Sequence, residues 1–492
     1  MIMNTEKEMQ QQIRPFLPIK QVFDDEFISL VTELIFLIRS YGIDKVGHTN
    51  IKNDFKLFIS AVHDGWKEAQ KIILHNVIKK LNEINHLEIK KKEHHREKNN
   101  HAKQECINKI KILKTEIVIL RRFVDSIVWT ILDNEHSTIR RLPLSDNLDN
   151  ISINNLKEAT QSLEVINSYP AVIGISSDLT TFIHTGDLLV RDYFEGTISI
   201  VELKSGKKNI EFCEAASFSL DSKCPVFDEI YTKQLSQVDL KHYQRTKKQL
   251  QHLRDVVGTI NAGEGYDHFL QQTVKIEDNN YIPTYFSEKI MDSWRRISLG
   301  KLWDIHVIDE CLFIGAYKNI EVGFVGFNCW MKLSDFNGTV FNINDSFRLK
   351  LSKPLLNLDL PNETIKDIIL GEFIVVLCLD TEKFYNKANK IYPGILKQKK
   401  ITDAKFKKMD FVTINQKAIY SESNGQEVYF GTGFLSRIIF DFQHPKNIID
   451  WIYKHSDVKR HDNKEKNNKK KIKQSTKKIK LKLAKLSRRK KN

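Results

Sequence analysis

The chain contains no run of about eighteen apolar residues, so the sequence excludes a membrane-spanning helix. Its first twelve residues are mostly polar and lack the apolar centre of a signal peptide, and the expected location is cytoplasmic. Six cysteines are present (Cys106, Cys213, Cys224, Cys311, Cys329 and Cys378), with no CxxC pair among them. That scatter excludes a zinc ribbon and a disulfide framework. Cys378 sits in the apolar run from Ile374 to Leu379, where a buried free thiol is expected. Proline is absent from residue 64 to 134 and Gly65 is the only glycine there, so nothing in that stretch breaks long helices. A net positive charge is also missing from most of the chain, despite a total of +15. From Lys454 onward there are 18 Lys/Arg and 3 Asp/Glu, which leaves 59 of each sign in the remainder. A neutral body with a basic tail gives no licence to read the whole fold as a nucleic-acid binder.

What is present divides along the chain. Phe27, Ile28, Leu30, Val31, Leu34, Ile35 and Ile38 form a helical stripe within residues 23–40. The polar stretch from Lys90 to Lys109, between apolar-periodic flanks, predicts two long helices or a helical hairpin with its tip in water. His94, His95 and His101 are read as a solvated helix face, because no acidic or cysteine partner recurs at ligand spacing. Loop chemistry around Asn134–Asn155 separates this segment from a short helix at 152–166, with Ser152 as its cap. A strand at 171–175 follows, and a helix is expected at 233–257. Short apolar runs at Ile305–Ala316, Val322–Trp330 and Ile369–Leu379 read as strands of a β-rich region over 281–452. The Lys-rich segment 453–492 has too few apolar residues to fold alone.

The most informative segment runs from Thr185 to Lys207. Asp187–Asp192 and Thr197–Lys204 are strand-like, and Tyr193–Gly196 fits a four-residue hairpin loop. With that loop centred, Asp192 faces Thr197 and Asp187 stands opposite Glu202. Paired Cβ atoms lie roughly 4.5–5.5 Å apart, within reach of one ion. Lys204, two residues beyond Glu202, shares its face with Leu189, Ile198 and Ile200. Two carboxylates about 5 Å apart repel by roughly 3 kcal/mol at an effective dielectric near 20. A divalent cation offsets that repulsion better than one lysine, and hard Mg²⁺ takes carboxylate, water and phosphate oxygens. A salt-bridged structural cluster is the competing explanation.

Gly186-Asp187 followed by Glu202-Leu203-Lys204 resembles the signature of the PD-(D/E)XK nucleases, with Gly186 where the nominal proline would stand. The resemblance covers roughly residues 150–280. It implies an α/β restriction-endonuclease-like core with a mixed central sheet, spanning 136–280 between a helical domain at 1–135 and the β-rich region. It also implies Asp187, Glu202 and the carbonyl of Leu203 as ligands of Mg²⁺, with Mn²⁺ as a substitute. Lys204 would orient the attacking water and stabilise charge on the scissile phosphate.

By the same resemblance the following helix would send Lys241, Gln244 and Arg245 towards phosphate, although a solvated face explains that pattern equally well. Lys207 and Lys208 could bind phosphate or simply follow a turn. Glu158, or less readily Glu164, would supply an acid from the preceding helix. Asp125 reads equally as a site acid or as a partner of Arg121 or Arg122, whereas Asp178 and His184 default to structural roles. The expectation is a metal-dependent nuclease acting on DNA, with RNA as the other substrate, serving in defence against foreign DNA. It would work with a homodimeric or protein partner and no membrane. The alternative is a catalytically silent nucleic-acid-binding or scaffold protein using the basic tail, to which each neutralised phosphate adds salt-dependent affinity.

Overall fold

The computed structural model describes residues 23–48, 51, 54–142, 151–183, 186–203, 207–268, 272–275, 282–402 and 411–457. It is a mixed α/β protein, predominantly helical, with several small antiparallel sheets. The chain separates into two compact units. One holds the described residues of 16–280 together with Asn344–Glu372, and the other those of 281–343 and 373–492. The segment 344–372, which the sequence places with the C-terminal region, therefore belongs to the N-terminal unit.

In that unit, α1 (Asp25–Arg39) is capped by Asp24, whose carboxylate accepts from Phe27 N–H at 2.8 Å, and α2 (Tyr41–Val46) follows. The proline-free stretch forms α3 (Phe55–Arg96) and α4 (Asn100–Ile131), two long helices packed on each other. At 42 residues α3 is about 63 Å long. The reversal between them uses Lys98 at φ 57° and Asn99, which caps α4 through Ala102 N–H. The C-terminal half of α4 is largely buried, with Ile119, Leu120, Phe123, Val124, Ile127, Val128 and Trp129 inaccessible to solvent. A short α5 (His136–Ile139) follows.

Next come α6 (Ile153–Asn167), capped by Ser152, and the meander β1 (Val172–Ser176), β2 (Leu188–Asp192) and β3 (Thr197–Val201). Three helices, α7 (Lys207–Ser222), α8 (Pro225–Lys233) and α9 (Gln237–Ala262), lead to the ribbon β4 (Glu264–Asp267) and β5 (Gln272–Lys275). The helix α12 (Asn362–Leu370) packs on α1, and Arg39 donates to Asn362 Oδ1 at 2.7 Å.

Two expectations are corrected here. Every pairing among the described strands is antiparallel, so no mixed central sheet is present among the described residues. β4 pairs with β5 alone, and the meander stays three-stranded. The stretch between β3 and α9, left without elements in the sequence reading, is helical. Its two helices, α7 and α8, are stitched to α9 by Asp228 of α8, which accepts from Ser219 Oγ of α7 at 2.8 Å, Tyr243 OH of α9 at 2.9 Å and the Lys247 ammonium.

The second unit is built on the sheet order β6 (Trp303–Ile308), β7 (Leu312–Tyr317), β9 (Ile374–Leu379) and β8 (Thr339–Asn342). One face packs on α11 (Ile320–Leu333), through Ile320, Phe327, Trp330 and the sheet residues Phe313, Tyr317 and Val376. Helix α10 (Ser287–Ser298) contacts β6 and β7. After α13 (Thr381–Ile391) a second small sheet joins β10 (Lys397–Lys400), β11 (Thr413–Ile414), β12 (Lys417–Ser423) and β13 (Gln426–Tyr429). Then come α14 (Thr432–Ile439) and α15 (Pro445–His455).

This region is therefore mixed α/β rather than β-rich. Val322–Trp330, read as a strand, lies inside α11. Asn319 caps that helix through Val322 N–H at 2.9 Å, and its inward positions Ile320, Gly323, Phe327 and Trp330 follow a helical period. Ile369–Leu379 is divided by Gly371 at φ +74°, which ends α12 before β9 begins.

Candidate active site on the β2–β3 hairpin

The hairpin forms as its residues dictate. Asp192 closes the loop by accepting from Phe194 N–H at 2.8 Å and Glu195 N–H at 3.0 Å, and Gly196 takes φ +68°. Pairing then runs from Asp192↔Thr197 to Leu188↔Val201, the register the loop length predicts. Leu188, Val190, Val201 and Leu203 pack on Ala159, Leu163 and Ile166 of α6. Glu202, between two residues that face α6, projects to the other side with Ile198 and Ile200.

The regular cross-strand pair expected for Asp187 and Glu202 is not formed, because the ladder stops one residue short of both. Asp187 N–H donates to Val201 O at 2.8 Å, so two residues of one chain segment address a single residue of the other, as in a β-bulge. The cause lies at Gly186, which adopts φ +71° and passes so close to Ile200 that a Cβ there would stand 2.2 Å from its Cγ2. Proline is confined to φ near −65° and could not take this place, so the glycine in the nominal proline position is a requirement of this turn.

The bulge turns the Asp187 side chain along β3. Its Oδ2 accepts from Leu203 N–H at 2.5 Å, and its backbone carbonyl accepts from Ser177 N–H at 2.8 Å. The Asp187 carboxylate is thus fixed on the amide that joins Glu202 to Leu203. Both acids are half-buried. Lys204 and His184 lie outside the described residues, as do Ser205, Gly206 and the basic segment 458–492.

The loop that carries Asp187 is anchored by α4. Arg121 donates to Thr180 O, and Asp125 accepts from Thr181 N–H at 2.8 Å and Thr181 Oγ1 at 2.6 Å. Asp125 also pairs with Arg122 at 2.9 Å, and Arg122 donates to Lys350 O at 3.1 Å and Ser352 O at 2.7 Å. Burial holds the Arg122 guanidinium below its ordinary pKa. Asp125 is therefore a structural anchor and not a site acid. Sequence spacing gave no sign of this clamp, because Asp125 and Thr181 are 56 positions apart.

The remaining candidates divide. Helices α7 and α9 run parallel: Lys208 pairs with Asp239 at 2.6 Å, the Phe212 ring meets His242, and Arg254 pairs with Asp221. This sets the first turns of both helices side by side, just beyond Leu203. Lys207 is exposed on the first turn of α7, and Lys241, Gln244 and Arg245 on the second and third turns of α9, while Lys208 is already engaged by Asp239. Glu158 and Glu164 are exposed on α6. Among the described residues no three His, Cys, Asp or Glu side chains form a metal-holding group, so Glu158 does not complete a site with Asp187 and Glu202. Asp178 lies in the short 3₁₀ turn Ser177–Leu179. No helix among the described residues is long and apolar enough to cross a membrane. Comparison with family models, curated proteins and solved structures found no match.

Proposed function

We propose that the open end of the β2–β3 hairpin is the active site of a Mg²⁺-dependent nuclease that hydrolyses DNA phosphodiester bonds. One observation supports this reading: the half-buried Asp187 carboxylate is held on the N–H of the peptide that follows the half-buried Glu202. The donor set suits the ion, because two carboxylates and the Leu203 carbonyl are hard oxygen ligands. When bound, the cation would lower the pKa of water and neutralise charge developing on phosphate.

The chain's own residues would do the rest. The Leu203 N–H holds Asp187 at a fixed angle, so the site is organised before substrate arrives. Lys204 would orient the attacking water, as the resemblance implies. The exposed Lys207 of α7 and Lys241, Gln244 and Arg245 in the N-terminal part of α9 would bind backbone phosphates. The Lys-rich tail would add affinity that falls with salt. Defence against foreign DNA is the role we infer for such an activity.

The test incubates the full chain with plasmid, linear and single-stranded DNA and with RNA, in Mg²⁺, Mn²⁺ or EDTA. Asp187→Asn is the informative variant, since the amide oxygen can still accept from Leu203 N–H and the fold should be kept. Cleavage should fall on the order of 100-fold or more in Asp187→Asn, Glu202→Ala and Lys204→Ala. Cleavage that survives Glu202→Ala would sink the assignment. Binding without cleavage in any metal would favour the silent nucleic-acid-binding alternative.

A further inference from the structure

β6 is the edge of the four-stranded sheet in the C-terminal unit, and among the described residues only β7 pairs with it. Natural edge strands are usually blunted by proline, lysine, a bulge or an inward charge. β6 reads Trp-Asp-Ile-His-Val-Ile, with no proline and no lysine, and its one inward charge, Asp304, is balanced within the chain by Arg296 at 3.1 Å. Its two polar side chains, Asp304 and His306, turn towards α10, where Ser293 Oγ bonds Asp304 Oδ2 at 3.0 Å and His306 Nε2 at 2.9 Å. The other face carries Trp303, Ile305 and Val307. Helix α11 packs on that face over β7, β8 and β9, and no β6 side chain belongs to that core cluster. Trp303 is 55% exposed and Val307 50%, and at the entry to the strand Leu302 is 54% and Leu299 88% exposed.

We propose that two copies of this chain associate through β6, pairing antiparallel about a two-fold axis at Ile305 to make one continuous eight-stranded sheet. The sequence is self-complementary in that register. Trp303 faces Val307 of the second copy, Ile305 faces its own equivalent, and Asp304 faces His306 of the second copy. The axis also brings Lys301 of each copy to the level of Asp309 in the other, whose carboxylate accepts from Lys446 N–H of its own chain at 2.8 Å. An isologous contact needs this kind of self-match, which an unrelated partner would not require. The four apolar side chains expose on the order of 400 Å² per copy, within the roughly 300–600 Å² of the largest patch on a monomer. That is about half of the ~800 Å² per partner that a stable interface buries. The unpaired strand backbone supplies further contact.

The test is sedimentation of the full chain from about 1 to 100 µM, combined with site-directed crosslinking. Native protein should dimerise, and Val307→Lys should raise the dissociation constant at least tenfold with an unchanged circular dichroism spectrum. Ile305→Cys in a Cys329→Ser background should form a 305–305 disulfide on mild oxidation, because the axis places the two Cα atoms at cross-strand distance. Peptide mapping identifies the linked pair. A native chain that stays monomeric up to 100 µM overturns the proposal, as does a dimer indifferent to Val307→Lys that yields no 305–305 crosslink.

Discussion

Replacing Asp125 by alanine should cost more stability than any surface change in the molecule. The carboxylate is wholly buried and makes three bonds, to the Arg122 guanidinium and to the N–H and hydroxyl of Thr181. Removing it leaves Arg122 buried with only carbonyl and hydroxyl partners from residues 350 and 352. Breaking a buried ion pair from one side costs about 3–5 kcal/mol, and an orphaned backbone N–H about 1–3 kcal/mol. Because these costs overlap, we expect a loss of about 4–5 kcal/mol, a large share of the roughly 5–15 kcal/mol that holds a native domain. In urea unfolding, a slope near 3 kcal/mol per molar converts this to a midpoint lowered by about 1.5 M. Asp125→Asn, which keeps an acceptor for Thr181, should lose about half as much. The double change Arg122→Met with Asp125→Ala should be milder than the sum of its singles, since no uncompensated charge is left buried. A loss below about 1 kcal/mol in Asp125→Ala, or strict additivity in the double, would refute the reasoning.

Gly186→Ala should destabilise by about 2–4 kcal/mol, from the left-handed backbone and the contact with Ile200. Thermal unfolding of Gly186→Ala with and without Ile200→Ala checks this, since the second change should recover part of the loss. His63, buried between Trp66 and Tyr193 with Nδ1 3.3 Å from Pro170 O, has its pKa pushed down to about 4, chiefly by burial. Its unfolded value is near 6.5, so between pH 6.5 and 4 the unfolded chain takes up a proton that the folded chain refuses. The stability from neutral His63 is complete above pH 6.5 and falls by roughly 3 kcal/mol as pH drops through 4. His63→Phe should flatten that part of the acid limb in urea titrations at pH 7, 5.5 and 4.5, and parallel slopes for the two proteins would contradict it.

Much of the local structure was legible in the residues themselves. The absence of proline and glycine after Gly65 predicts the two long helices, because helix propagation needs only unbroken backbone donors. The hairpin register follows from loop length, because a four-residue loop ending in glycine leaves one way to align Asp192 with Thr197. The error at Val322–Trp330 shows where this reading is weakest. A short apolar run is consistent with strand or helix, and only the cap at Asn319 and the spacing of Ile320, Gly323 and Phe327 separate the two.

The sequence by itself determined that Asp187 and Glu202 leave the same end of one hairpin, since register is a local property of two strands and their turn. Tertiary structure decided where the Asp187 carboxylate is held. The close passage of Gly186 over Ile200 replaced the final pair with a bulge and turned Asp187 onto the amide of Leu203. Likewise α4 decided where the loop into the site is tied, through Arg121, Arg122 and Asp125. Such contacts join positions far apart in the chain, and their cost or gain exists only once a shared core has removed water from both partners.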